Sequence, residues 1–260
     1  MLLSKSSNYS SMKTRGFLWR ALDWIYPPLC CNCGRISFEI CPDCWDSISL
    51  LSIKKTCDRC GNLIQRGSAC ADCRKRPPVF DQLKSWALYE GPICSIVKGI
   101  KFERKLGLIP YLVEPLADSI SAWDPQVDCI AAVPLGLRRQ HERGYNQSAL
   151  IARRVAEKLG IYYSTRILTR VRETHTQVGL NVDERRQNMV NAFTADPALC
   201  RGRSILVIDD IATTGATLNA CAAALRSAGA EKIFCFTVAR TNLHPISNPI
   251  FMEVSNERQS

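Results

Sequence analysis

The residues best suited to chemistry lie in ILVIDDIATTGATL (205–218). An apolar run ends in two adjacent carboxylates, Asp209 and Asp210, and a short loop from Ile211 to Ala216 leads into a helix beginning near Thr217. Thr213, Thr214 and Thr217 offer hydroxyls, and Gly215 lets the backbone turn tightly and approach a ligand. The helix N-terminus adds free N–H groups and a partial positive charge, so Ala212 through Thr217 suit one phosphate. Asp209 and Asp210 would repel that phosphate and need another task. Accepting hydrogen bonds from sugar hydroxyls, or holding Mg²⁺ through waters, fits them. A plain capped helix is the alternative, but a cap rarely needs so many threonines, and paired strand-end carboxylates are costly without a partner. Neither a Walker A loop nor a G-x-G-x-x-G fingerprint occurs in the chain.

A second constellation is metallic. Cys30/Cys33, Cys41/Cys44, Cys57/Cys60 and Cys70/Cys73 form C-x₂-C pairs, a spacing that lets both sulfurs reach one tetrahedral ion. The gaps are short within 30–44 and within 57–73, which predicts two successive Cys₄ zinc sites; an interleaved pairing is the alternative. Cys30 gives the x₂ spacing and is preferred over Cys31. Four thiolates leave no open coordination position, so the role is structural. A disulfide cluster would need an oxidising compartment, and an iron–sulfur cluster would need other spacings. Cys94, Cys129, Cys200, Cys221 and Cys235 sit in apolar contexts and read as core residues. His141, His175 and His244 show no metal or nucleophile–base spacing.

The elements that must position these groups follow from pattern. Residues 16–26 have apolar positions at helical spacing and stop at Pro27–Pro28. Residues 83–89 read as a strand, 92–122 as two helices divided near Gly107, and 127–134 as a strand entering a loop. Residues 145–160 read as an amphipathic helix closed by Gly160, 204–210 as a buried strand, 217–229 as a helix and 232–240 as a strand. This alternation argues an α/β fold with a parallel sheet, preceded by the small Cys₄ zinc-ribbon domain. The expected organisation is a tail and short helix (1–26), a double ribbon (27–78), the α/β domain (79–243) and a C-terminal tail (244–260), with Pro77–Pro78 at the main boundary. Arg138, Arg139 and Arg143 follow the strand 127–133 at the ligand-binding edge of such a sheet. Arg185 and Arg186 fall in a loop able to close over a ligand. Arg153 and Arg154 read as a solvated helix face.

With 260 residues, 46% hydrophobic and 22% charged, the chain is neither largely disordered nor collagen-like. No apolar stretch is long enough for a membrane span, and the N-terminal residues have no continuous apolar core. A cytoplasmic protein without membrane insertion is expected. The chain carries 34 basic against 24 acidic residues, a formal charge of +10. Eight metal-bound thiolates and two Zn²⁺ would remove about four of those charges. The remaining basic excess is moderate: it permits an anionic ligand without identifying one.

The 205–218 segment resembles the PRPP-binding motif of type I phosphoribosyltransferases (PRPP is 5-phosphoribosyl 1-pyrophosphate). The resemblance implies that Asp209 and Asp210 hold the ribose hydroxyls, that Ala212, Thr213, Thr214, Gly215, Ala216 and Thr217 hold the 5′-phosphate, and that Mg²⁺ accompanies PRPP. Some purine-specific members carry a third carboxylate in this loop; Thr213 stands there, which argues against a hypoxanthine/guanine-type enzyme and leaves the general base unassigned. In the related transferases the loop after the earlier strand holds pyrophosphate, which implies that role for Leu135 to Arg139, with Arg143 and Arg185 nearby. Together with the Cys pairs, VPLGLRRQHERGYNQSALIA (133–152) and TQVGLNVDERRQNMVNAF (176–193) are similar to the ComF family, related to competence protein F. The shared positions are Val133, Pro134, Arg143, Gly144, Tyr145, Asn146, Gln147, Gln177, Leu180, Arg185, Asn188 and Phe193. The likeness spans about residues 25–240. It implies a phosphoribosyltransferase-like domain and a part in handling incoming DNA during natural transformation.

Three activities are compatible with these residues: pentosyl transfer from PRPP with release of pyrophosphate, PRPP or nucleotide sensing without turnover, and single-stranded DNA binding by an adaptor working with competence-machinery proteins. The last two can coexist. Trp45 is the main base-stacking candidate in the ribbons.

Overall fold

The computed structural model describes residues 27–51, 56–172 and 191–242. The expected helix at 16–26, both tails, Gln177, Leu180, Arg185, Arg186, Asn188, His175 and His244 lie outside the described residues. Among the described residues, no helix is long and apolar enough to cross a membrane.

Each half of the cysteine region repeats one device. A knuckle places Gly34 or Gly61 at positive φ, 76° and 70°, where the chain turns back after Cys33 or Cys60. A five-residue helix then begins just after the third cysteine: α1 (Pro42–Asp46) after Cys41, and α2 (Ala71–Lys75) after Cys70.

The α/β part holds a five-stranded parallel sheet of β1 (Gln82–Leu88), β2 (Cys129–Ala132), β3 (Tyr162–Tyr163), β6 (Ser204–Ala212) and β7 (Lys232–Arg240), in the order β1-β7-β6-β2-β3. A separate antiparallel pair joins β4 (Leu168–Arg170) to β5 (Phe193–Ala195). The helices are α3 (Pro92–Phe102), α4 (Ile109–Trp123), α5 (Leu137–Arg143), α6 (Gln147–Leu159), α7 (Pro197–Cys200) and α8 (Ala216–Ser227).

Side chains alternate between the two faces of the sheet. Leu206, Ile208, Phe236 and Val238 pack against α3, α4 and α6, whereas Ile205, Val207, Ile233 and Cys235 pack against α8 and the β4–β5 pair. The fully buried run Ile205–Ile208 explains its continuous apolar spelling, since a strand covered on both faces has no polar side. Each such side chain contributes about 1.5–3 kcal/mol when removed from water. The first ribbon shares this core: Ile40, Cys44 and Ile48 belong to one buried cluster with Trp86, Ile93 and Leu112.

Two expectations shift. Strand β6 runs two residues past the carboxylate pair, to Ala212, because Ile211 and Ala212 still pair with Ala239 and Arg240. Trp45 is half-buried rather than free, with its ring centroid 5.6 Å from that of Trp86 and 6.4 Å from that of Tyr111, so much of its surface is used within the protein. The large apolar area of an indole favours this partial burial against Trp86 of β1.

Candidate functional site

From β2 the chain crosses through α6 to β3, on one side; from β6 it crosses through α8 to β7, on the other. β2 and β6 are neighbours, so the direction of winding reverses between them. In open parallel sheets ligands bind in the crevice beyond the strand C-termini at this reversal. The segment after β2 carries Leu135 to Gln147, and the end of β6 carries Asp209 and Asp210.

The crevice is wired by side chains from three elements. Asp210 is 5% exposed. Its Oδ1 accepts from Lys101 Nζ at 2.8 Å, and its Oδ2 from Gln147 Nε2 at 2.6 Å. Gln147 is held in turn, its Oε1 accepting from Arg143 Nη1 at 2.9 Å. Asp209 is half-buried, and its Oδ1 accepts from Ser148 Oγ at 2.7 Å. Burial and the neighbouring Asp210 carboxylate push the Asp209 carboxyl well above the usual carboxylate range, against the pull of Lys101. Asp210 is thus met by neighbouring side chains, whereas Asp209 is the more open acid.

Asn146 explains why α6 starts where it does. Its Oδ1 accepts from the backbone N–H of Ser148 and Ala149, capping the helix, while its Nδ2 donates to the Val133 carbonyl at 2.9 Å. One residue therefore fixes both the helix start and its distance from the end of β2. Tyr145 donates its hydroxyl to the Ile100 carbonyl, and the Arg143 guanidinium lies over the Phe102 ring at 5.1 Å. These contacts bring the end of α3, and so Lys101, to the crevice.

The phosphate-loop candidates gather at the start of α8. Gly215 is its N-cap at φ 76°, and Ala216 N–H donates to Thr214 Oγ1 at 3.3 Å. The Thr213 carbonyl faces Arg240 Nη2 at 3.5 Å, and Thr217 is half-buried in the first turn of the helix. Leu135 lies in the loop after β2, but that loop ends at Gly136: Arg138, Arg139 and Arg143 stand on helix α5, not on an extended turn. Arg138 is exposed and pairs with Glu142 at 3.5 Å, one helical turn away, while Arg139 and Arg143 are half-buried. Arg153 pairs with Glu157 at 2.9 Å on an exposed face.

Sequence reasoning missed Lys101, Ser148 and the part played by Gln147. The RGYNQ spelling singled out Gln147 without assigning it contacts; nothing local marks Lys101, because it is 109 positions from Asp210 along the chain.

The sulfur groups separate into two clusters, Cys30/Cys33/Cys41/Cys44 and Cys57/Cys60/Cys70/Cys73, with all Sγ atoms of each cluster within 4.8 Å of one another. Backbone N–H groups of Cys41 and Cys70 donate to Cys30 Sγ and Cys57 Sγ, each at 3.3 Å, as suits thiolate acceptors. Four converging thiols with such donors fit a tetrahedral zinc ion. Cys31 stays outside the first cluster, its thiol pushed up to about 12 by burial and by the adjacent Cys30.

Residues 21–74 match the family model of the double zinc ribbon domain, and residues 146–249 that of the phosphoribosyl transferase domain. Both Cys₄ clusters are therefore structural zinc sites. The chain is similar to the competence protein F of Haemophilus influenzae, 33% identical over 196 residues covering 71% of this chain and 84% of that protein. It is similar to the DNA utilization protein YhgH of Salmonella typhi, 32% identical over 191 residues with the same coverage. It is also similar to the competence protein ComFC of Bacillus subtilis, 24% identical over 234 residues covering 86% and 89% of the two chains. With its double zinc ribbon and phosphoribosyltransferase-like sheet, this chain belongs to the ComF family of competence proteins.

Proposed function

We propose that the β2–β6 crevice binds PRPP, or a closely related phosphoribosyl ligand, and that the chain acts as a phosphoribosyltransferase. The observation that carries this reading is the delivery, by one buried strand, of Asp209 and Asp210 directly into the Thr213–Thr217 turn at the N-terminus of α8. Backbone N–H groups there suit a 5′-phosphate, while the more open Asp209 accepts from a ribose hydroxyl. Asp210 holds Lys101 and Gln147 in place beside it. Asp209 is the residue that would hold Mg²⁺, which would supply positive charge to offset that of the leaving pyrophosphate. Leu135, Arg138, Arg139 and Arg143 are the residues we assign to the pyrophosphate, together with Arg185, which lies outside the described residues. The step breaks the C1–oxygen bond, pyrophosphate leaves with the electron pair, and the acceptor bonds to C1 and gives up a proton. The working unit is the 79–243 domain, with the 27–78 ribbons as its structural support.

The test is calorimetry with PRPP and Mg²⁺, followed by pyrophosphate release across a set of nucleobases. Asp209→Asn combined with Asp210→Asn should abolish PRPP binding while leaving the far-UV spectrum unchanged. Undiminished PRPP affinity in that double variant discards the reading.

A second reading, an adaptor that binds single-stranded DNA together with competence-machinery proteins, draws on the names of the relatives and on Phe102. That ring is 70% exposed beside Arg143 at the rim of the crevice. A steep fall in oligonucleotide affinity with salt, weakened several-fold by Phe102→Ala, would favour it. Salt-insensitive binding that ignores Phe102 would dismiss it.

A further inference from the structure

Arg240 closes β7 and is 2% exposed, among the most buried large side chains of the described residues. Its backbone pairs with Ala212, at the end of the strand that feeds the phosphate loop. Its guanidinium spans two parts of the chain. Nε donates to Asn62 Oδ1 at 2.7 Å and Nη1 to the Cys60 carbonyl at 2.6 Å, both in the second ribbon, while Nη2 reaches the Thr213 carbonyl at 3.5 Å. These three acceptors are neutral oxygens. A buried cation needs countercharge. Its bond to the Cys60 carbonyl sets it beside the second sulfur cluster, which as four thiolates around one Zn²⁺ carries a net double negative charge.

The surroundings keep ribbon and loop in register. The Leu83 N–H donates to the Arg59 carbonyl at 2.7 Å, and a Cβ at Gly61 would meet the Leu83 carbonyl at 2.7 Å, so the ribbon backbone sits directly on the start of β1. Val79 N–H donates to Asn219 Oδ1 at 2.7 Å, tying the inter-domain segment to α8. Cys60, Asn62 and Arg240 line one crevice of about 440 Å³ together with Thr214, Gly215 and Ala216. The wall facing the phosphate loop is therefore the zinc ribbon itself.

We infer that Arg240 is a positioning residue that fastens the 212–217 loop to the second zinc site, so that this site sets the order of the loop and its affinity for a phosphorylated sugar. The affinity part rests on the reading of that loop as a phosphate site. A rigid fork is required, because one side chain must satisfy acceptors on two elements at once; lysine's point charge cannot.

The test uses the full chain with both zinc sites filled. Asn62→Ala removes the acceptor of Nε, Asn62→Asp keeps one, and Arg240→Lys removes the fork. Zinc content, hydrogen exchange and PRPP affinity are measured on each. Asn62→Ala and Arg240→Lys should keep two zinc ions per chain, exchange the 213–217 amides about tenfold faster while α4 amides stay unchanged, and bind PRPP with Mg²⁺ about tenfold more weakly. Asn62→Asp should restore wild-type behaviour. Should Arg240→Lys fail to fold, the two Asn62 variants decide. Unchanged loop exchange in Asn62→Ala overturns the inference, as does an equal rise in α4, which would mark general loosening. The exchange readout needs no ligand. A wild-type chain that ignores PRPP, but whose loop still responds to Asn62→Ala, would sink the ligand reading and leave the coupling standing. PRPP binding equal in wild type and Asn62→Ala, with no change in exchange, would do the reverse.

Discussion

Asp209 carries an electrostatic cost, which its proposed role as a ribose-holding acid would explain. Its folded carboxyl is raised above the ordinary carboxylate range, so the native state takes up a proton more readily than the unfolded chain. The ionised form therefore weakens the fold above the raised value, and the penalty fades as pH falls toward the ordinary range. Asp209→Asn should raise the melting temperature at pH 8 by about 2–4 °C, with less gain at pH 5. An equal difference at both pH values, read by calorimetry, would contradict the assignment. Asp210 is paired with Lys101 Nζ at 2.8 Å inside the crevice. Lys101→Met should cost about 3 kcal/mol by urea unfolding, since it strands a buried carboxylate. The same substitution on an Asp210→Asn background should cost much less, because the charge that needed compensation is gone.

At the scale of elements, two caps decide where the site residues stand. Asn146 bonds two backbone N–H groups at the start of α6 and the last residue before the β2 loop. Asn146→Ala should lose about 1 kcal/mol of stability and weaken PRPP binding more than that loss implies, because Gln147 and Ser148 drift from the two aspartates. Equal PRPP affinity in the variant would show that the cap does not position them. Gly215 holds a positive φ at the start of α8, where an added Cβ would meet nothing closer than Phe80 at 4.0 Å. The cost of Gly215→Ala is thus one of backbone conformation, about 1 kcal/mol. Thermal unfolding should show that small loss, while calorimetry shows a much larger loss of PRPP affinity, because the loop N–H groups turn away from the phosphate.

Across the whole molecule, zinc and sheet form one core. Ile40, Cys44 and Ile48 of the first ribbon pack with Trp86, Ile93 and Leu112, and the second ribbon leans on β1 and β7. A strong chelator should therefore deprotect residues 30–73 in hydrogen exchange and also lower the melting temperature of the α/β part. If the sheet keeps its melting temperature after zinc is stripped, the ribbons are independent attachments.

The sequence by itself determined whatever depends on neighbours along the chain. C-x₂-C spacing places two sulfurs on one ion, a buried parallel strand spells itself as an apolar run, and the Asp-Asp-Ile-Ala-Thr-Thr-Gly-Ala-Thr order sets carboxylates, turn and helix N-terminus in succession. Tertiary structure alone decided which distant groups answer them. The approach of Lys101 to Asp210 depends on how α3 packs against the start of α6. The reach of Arg240 from the second ribbon to the Thr213 carbonyl depends on how a knuckle seats on the sheet edge. The packing of Trp45 against Trp86 and Tyr111 was likewise set by residues distant along the chain. Spacing along a chain fixes local geometry, but contacts between residues a hundred positions apart exist only after the layers have packed.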